Sequence, residues 1–291
     1  MPQAPDLPDR ADALTAALAD CDICPRRCHV NRLEGETGVC GVGEHAFYAS
    51  GGPHFGEEPP LVGRGGSGTI FFAGCNLRCL FCQNFDISHR RHGEPMAPEA
   101  IARVMLRLEQ RGCHNINFVS PTHVTPQVMQ AILIARHRGL GVPTVYNCGG
   151  YEKLATVQAL DGFIDIYMPD AKYADGEVAR ELSDAPDYPD VMFAALAEMH
   201  RQVGDLAIKD GVATRGLLVR HLVLPNGLAG SQTILDFLAA ELSPRTYVNV
   251  MAQYRPCYRA HEVEAIARPP THREFSQAYA YAAQLGLRLA R

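Results

Sequence analysis

Residues 74–84 read GCNLRCLFCQN and gather Cys75, Cys79 and Cys82 at C-x3-C-x2-C spacing, with Cys113 the next cysteine along. A closed structural zinc site or a fully ligated iron–sulfur cluster takes four protein ligands. Three thiolates instead hold three irons of a 4Fe–4S cluster and leave the fourth open to an outside ligand, as a catalytic zinc keeps one position open. A three-cysteine zinc site completed by His89 or His92 is the other arrangement this spacing permits. Cys21, Cys24, Cys28 and Cys40 form a second group, with two, three and eleven residues between successive members. Pro25 and Gly38 supply tight turns there. Four thiolates suit closed zinc or a fully ligated cluster, with a structural or electron-relay role.

The chain that must position these groups has 291 residues, 47% of them hydrophobic, enough for a large core. Its ten cysteines are many for a reducing compartment where disulfides are rare, so clustered thiols there point to metal or redox work. A net charge of −5 argues against nucleic-acid or anionic-membrane binding. The N-terminus lacks a signal-peptide apolar core and no apolar run approaches spanning length, so a cytoplasmic location is expected.

After an amphipathic helix over residues 10–20, the stretch to about residue 66 is rich in Gly, Pro and Cys and reads as loop. Apolar runs at 68–72, 116–119, 143–147, 163–168, 217–224 and 247–251 then alternate with helical patterns such as Ile101, Val104, Met105 and Leu108. Strands alternating with helices imply parallel β/α units, and both an open six-strand barrel and a doubly wound sheet fit. The polar motifs SPTH, NCGGYE, PDAKY, PNG and AQYRP each follow a strand, as the cysteine loop follows the first. Strand C-termini carry the active site in such folds, so all this chemistry converges on one face. Glu57 and Glu58 read as a solvated loop, and Cys113 and Cys148 as core. Tyr254 and Arg255 end the sixth strand, where an arginine suits a substrate carboxylate or phosphate.

The cysteine loop resembles that of the radical S-adenosylmethionine superfamily. GSGTIFFAGCNLRCLFCQN, the N-terminal C-x2-C-P-R-x-C with a later G-x-C, YMPDAKY, RHLVLPN and MAQYRP resemble its pyruvate formate-lyase activating enzyme-like branch, PflX-type, from about residue 21 onward. The resemblance implies a partial (β/α)6 TIM-like barrel over residues 61–291 behind a metal-binding N-terminal extension, 1–60. It implies that a 4Fe–4S cluster on Cys75, Cys79 and Cys82 reductively cleaves S-adenosylmethionine to a 5′-deoxyadenosyl radical that abstracts hydrogen from a small-molecule, peptide or protein substrate. Flavodoxin or ferredoxin would be the reductant. Phe81 would pack near the adenine. Thr122 and His123 take the place of the family's glycine–glycine–glutamate stretch, from which this sequence departs. Asn147, Gly149 and Gly150 would line the cofactor, with Asp165, Asp170 and Lys172 at the fourth strand and Arg220 and His221 on the fifth. Cys257, after the sixth strand, carries the weak S–H bond that hydrogen-atom return requires. Two other readings are a glycyl-radical-enzyme activase and a non-catalytic iron–sulfur electron carrier. The first is weakened because the extra cysteines precede the radical motif instead of following it.

Overall fold

The computed structural model describes residues 6–290. One sheet takes in β1 (Ala46–His54), β2 (Ser67–Phe72), β3 (Glu94–Met96), β4 (Ile116–Val119), β5 (Thr144–Cys148), β6 (Ile166–Pro169), β7 (Ala207–Lys209), β8 (Val212–Leu222), β9 (Tyr247–Met251) and β10 (Arg288–Leu289). Its order is β10-β9-β8-β6-β5-β4-β2-β1-β3, with β7 pairing β8 beside this path. β2, β4, β5, β6, β8, β9 and β10 run parallel, whereas β1, β3 and β7 add antiparallel pairs. Among the described residues β3 and β10 do not pair, so the barrel stays open. The expected partial barrel is therefore formed, and the doubly wound alternative is not.

The helices are α1 (Leu7–Ala16), single turns α2 (Pro59–Val62) and α3 (Phe85–Ser88), α4 (Pro98–Gln110), α5 (Thr125–His137), α6 (Leu154–Ala159), α7 (Gly176–Ser183), α8 (Tyr188–Val203), α9 (Ser231–Phe237) and α10 (His272–Gln284). α4 opens with a proline at its first turn, where no amide partner is lost. It buries Ile101, Val104, Met105 and Leu108, the stripe its sequence spelled out. β4, β5 and β6 are buried along their whole length, hence their lack of polar alternation. No helix among the described residues is long and apolar enough to cross a membrane.

Four strands escaped the sequence reading: β1, β3, β7 and β10. β1 lies inside the stretch read as loop, because Ser50, Gly51, Gly52 and Pro53 look like turn chemistry. It is a half-exposed antiparallel strand with an irregular register between Tyr48 and Ser50, so its residues lack the apolar alternation of a core strand. Through it the N-terminal segment joins the sheet, and Leu7 and Ala11 of α1 belong to the main core.

Period-two alternation sorts the barrel interior into layers. Val145, Ile166, Met168 and Leu218 form a lower apolar layer that packs on Leu61 of α2. Two residues further along β5, β6 and β8 stand Asn147, Asp170 and Arg220, which line the cavity above. A buried plug thus closes one end, and the polar residues meet at the other.

Candidate functional site

Cys75, Cys79 and Cys82 open into a cavity of about 390 Å³ at the C-terminal ends of β2, β4, β5, β6, β8 and β9. Each sulfur has a polar neighbour. The Leu77 amide donates to Cys75 Sγ at 3.4 Å, Ser183 Oγ donates to Cys79 Sγ at 3.0 Å, and Ser88 Oγ stands 3.0 Å from Cys82 Sγ. Tyr173 OH lies 2.7 Å from Ser183 Oγ and holds that hydroxyl in place.

Across the cavity, Asp170 joins two cations. Lys172 Nζ donates to its Oδ2 at 2.5 Å and Arg220 Nε to its Oδ1 at 2.8 Å, while a second Arg220 nitrogen reaches Asn147 Oδ1 at 2.7 Å. Burial alone would raise the Asp170 carboxyl, but the Arg220 and Lys172 charges and their hydrogen bonds outweigh it and hold it below its ordinary value. Burial would lower Lys172, yet Asp170 and Cys79 keep it raised and charged. Both cations face the cavity that the thiols line, with Asp170 between them and Glu57 also in the lining.

The expected residues divide. Phe81, Thr122, His123, Asn147, Gly149, Asp170, Lys172 and Arg220 all line the cavity. Gly150 does not; its φ of +81° lets its Cα pack on the Asp170 carbonyl, where a Cβ would lie 2.1 Å away. His221 is wholly buried between the Ala171 carbonyl and Ser231 Oγ, both at 2.8 Å, and burial lowers it to about 4. Asp165 serves the Thr144 end of β5, accepting from its amide and hydroxyl at 2.9 Å. Cys257 sits in the loop after β9, outside the cavity lining. Cys113 and Cys148 are buried as expected, but Cys148 also lines the cavity.

The solvated reading of Glu57 and Glu58 is wrong. Glu57 lines the cavity with only 9% of its side chain exposed and sits 3.0 Å from His54 Nδ1. Glu58 is buried, and Asn249 Nδ2 lies 2.9 Å from both its oxygens. α2 tucks beneath the sheet and drags them in; two glutamates followed by two prolines carry no local sign of this. Glu152 was also missed. It is fully buried behind the wall, accepting from Thr122 Oγ1 at 2.5 Å and Tyr146 OH at 3.1 Å, and burial raises its carboxyl to about 7.

The N-terminal quartet shares a niche with Arg32 and His123. His123 lines both niche and cavity, with Nε2 2.8 Å from the Ala73 carbonyl. Its Nδ1 is buried without a partner among the described residues. Arg32, also buried, donates to the His123 carbonyl at 2.8 Å and lies 3.8 Å from Cys21 Sγ.

The model of the Radical SAM superfamily matches residues 69–212, which run from β2 into β8. The chain is 34% identical over 278 residues to the uncharacterized protein MJ0674 of Methanocaldococcus jannaschii, covering 93% of this chain and 76% of that one. The chain belongs to the radical SAM superfamily. A second uncharacterized protein of that organism, MJ0808, is 28% identical over 277 residues, covering 86% and 73% of the two chains. SuiB of Streptococcus suis, solved bound to S-adenosylmethionine, shares the fold with a TM-score of 0.51 at 14% identity. The match covers 74% of this chain and 47% of SuiB, so the radical SAM chain described here spans about half of that structure.

Radical SAM membership implies a 4Fe–4S cluster and S-adenosylmethionine, and the residues fit both. Burial and the neighbouring Cys79 push the Cys75 thiol up to about 12, and a bound cation would favour its thiolate. The serine hydroxyls and the Leu77 amide suit thiolates, and the Arg220 and Lys172 cations suit the carboxylate of the cofactor. Neither His89 nor His92, either of which would complete a three-cysteine zinc site, lines the cavity.

Proposed function

We propose that this chain is a radical SAM enzyme acting by hydrogen abstraction on a small-molecule, peptide or protein substrate. The observation that carries the reading is the placement of Cys75, Cys79 and Cys82 on one wall of a single cavity with the Asp170–Lys172–Arg220 group on another. When bound, the cluster and S-adenosylmethionine supply a 5′-deoxyadenosyl radical. Cys75, Cys79 and Cys82 would hold three irons and leave one for the cofactor. Arg220 and Lys172, fixed by Asp170, would bind its carboxylate, with Asn147 and Gly149 beside them and Phe81 against the adenine. Gly149 has no side chain to fill the space over Leu77 and Lys172, so the backbone can approach a ligand there. Thr122 and His123 would cover the second-strand end. Glu57, across from Arg220, is left to read the substrate. The pocket excludes water from the reacting carbon and orients the substrate hydrogen, which is where the protein contributes rate.

The quartet Cys21, Cys24, Cys28 and Cys40 is proposed as a second metal site, closed to S-adenosylmethionine. Anaerobic reconstitution tests the reading: count iron and sulfide, add dithionite and S-adenosylmethionine, and look for 5′-deoxyadenosine by mass spectrometry. About four irons with deoxyadenosine supports the radical cluster and leaves zinc as the favoured metal of the quartet, and about eight makes the quartet a second cluster. No iron uptake overturns the proposal.

A further inference from the structure

One side of the cavity carries none of the residues assigned to the cofactor. His54, Glu57, Phe71, Leu222 and Met251 line it, from the β1–β2 connection and the ends of β2, β8 and β9. In the parallel pairing of β8 with β9, Arg220 lies beside Asn249 and Leu222 beside Met251, so an apolar pair stands one layer above a polar one. His54, the last residue of β1, meets the Phe71 ring edge-on at 6.0 Å. Its side chain is 46% exposed, so the cavity reaches solvent on this side.

Glu57 and Asp170 are the carboxylates of the lining, and Asp170 is already held by Lys172 and Arg220. Glu57 Oε1 lies 3.0 Å from His54 Nδ1, while its Oε2 has no hydrogen-bond partner among the described residues, although only 9% of the side chain is exposed. Arg220 feels the charge of Glu57 but spends its hydrogen bonds on Asp170 and Asn147. A carboxylate oxygen kept from water without a donor costs free energy until a ligand supplies one.

The position of Glu57 is set before any ligand arrives. Next in the chain, Glu58 takes Asn249 Nδ2 at 2.9 Å on both oxygens, which joins the β1 side of the open sheet to the β9 side. A group fixed by His54 on one hand and by this clasp on the other loses little freedom on binding. A charge-assisted hydrogen bond is the strong complement to a carboxylate, and a neutral hydroxyl would leave its charge uncompensated. Phe71, Leu222 and Met251 offer apolar surface to the methylene stem of such a cation. His54 and Glu57 also precede residues 69–212, the stretch that the superfamily model matches, whereas the cysteine loop and Lys172 lie within it.

We propose that Glu57, fixed by His54, binds a cationic nitrogen of the substrate, an ammonium or guanidinium on an aliphatic stem. The inference rests on the proposed function and deepens it by naming the substrate class. A free alkylamine and a lysine or arginine side chain of a peptide carry the same group, and the test tells them apart.

The anaerobically reconstituted chain with S-adenosylmethionine is titrated calorimetrically with pentylamine, pentylguanidine and end-blocked tripeptides carrying a central lysine or arginine. Pentanol and the norleucine tripeptide are the neutral counterparts. The parent is expected to bind at least one cationic probe at least about tenfold more tightly than its counterpart. Preference for the free amines assigns a small molecule, and preference for the tripeptides assigns a peptide side chain. Glu57→Gln, which keeps the shape, should lose that tenfold preference, and Glu57→Arg should favour pentanoate over pentylamine. If Glu57→Arg does not fold, Glu57→Gln decides. A parent that binds no cationic probe above its neutral counterpart overturns the inference, and so does Glu57→Gln with the parental preference. Iron uptake and dithionite-driven deoxyadenosine formation, read on the parent, test the proposed function separately, and the same titration on the chain as purified reads Glu57 whichever way that test falls.

Discussion

The carbonyl oxygen of Cys40 lies against the Cα of Gly74, so close that a Cβ on Gly74 would stand 2.8 Å from it. One cysteine of the N-terminal quartet thus packs on the residue just before Cys75. Arg78 and Arg26 tie the same two segments, the first through the Val39 carbonyl and the second through the Asn76 carbonyl at 2.7 Å. The extension is part of the wall that holds the radical loop in place.

Gly74→Ala should therefore damage both sites. Its φ of +86° disfavours any side chain, and the Cβ would also meet Val42 at 2.8 Å. The expected cost exceeds about 1 kcal/mol. A lower Tm together with iron loss checks this, and a variant with parental Tm and iron content would show that the contact is slack.

Cys79→Ala should remove the radical cluster and abolish deoxyadenosine formation, with about four fewer irons per chain. Cys28→Ala should lower stability or the remaining metal while leaving intrinsic cofactor cleavage in chains whose radical cluster is loaded. Loss of cleavage in well-folded Cys28→Ala protein whose radical cluster is loaded would argue against a peripheral quartet.

Asp170→Ala would leave Arg220 and Lys172 buried side by side without their carboxylate. Removing one member of such a group costs about 3–5 kcal/mol. Asp170→Asn preserves the shape and should fold better, yet bind S-adenosylmethionine more weakly because both cations lose orientation. Calorimetric titration on the two variants separates these effects; parental binding by Asp170→Asn would remove Asp170 from the cofactor wall.

Glu152 predicts a pH effect of definite sign. Burial raises its folded value to about 7 from an ordinary 4.5, so the folded state holds the proton more tightly than the unfolded chain. Its contribution to stability is complete below pH 4.5 and declines as pH rises through about 7. Glu152→Gln should abolish this decline, flattening the denaturation midpoint between pH 5 and 7.5. Parallel curves for parent and variant would mean that Glu152 is already ionised when folded.

Sequence alone determined the alternation of parallel strands and helices and the strand ends that carry polar motifs, but left an open barrel and a doubly wound sheet side by side. β4, β5 and β6 announce themselves as unbroken apolar runs because both faces are covered. Asn147, Asp170 and Arg220 were legible because strand ends are fixed by the strands before them. What lies between distant segments was not. β1 is held by pairing with β2 and not by its own Ser-Gly-Gly-Pro, so only the sheet reveals it. Gly150 and His221 sit in motifs beside the cavity but turn into the backbone, since one residue's rotation along a strand or turn sends a side chain to the opposite face. Glu152 owes its surroundings to the β4 end, distant in sequence, and Glu57 to the cavity wall that meets it across the barrel. Long-range burial decides the environment of a polar group, and that environment sets its charge, reach and exposure.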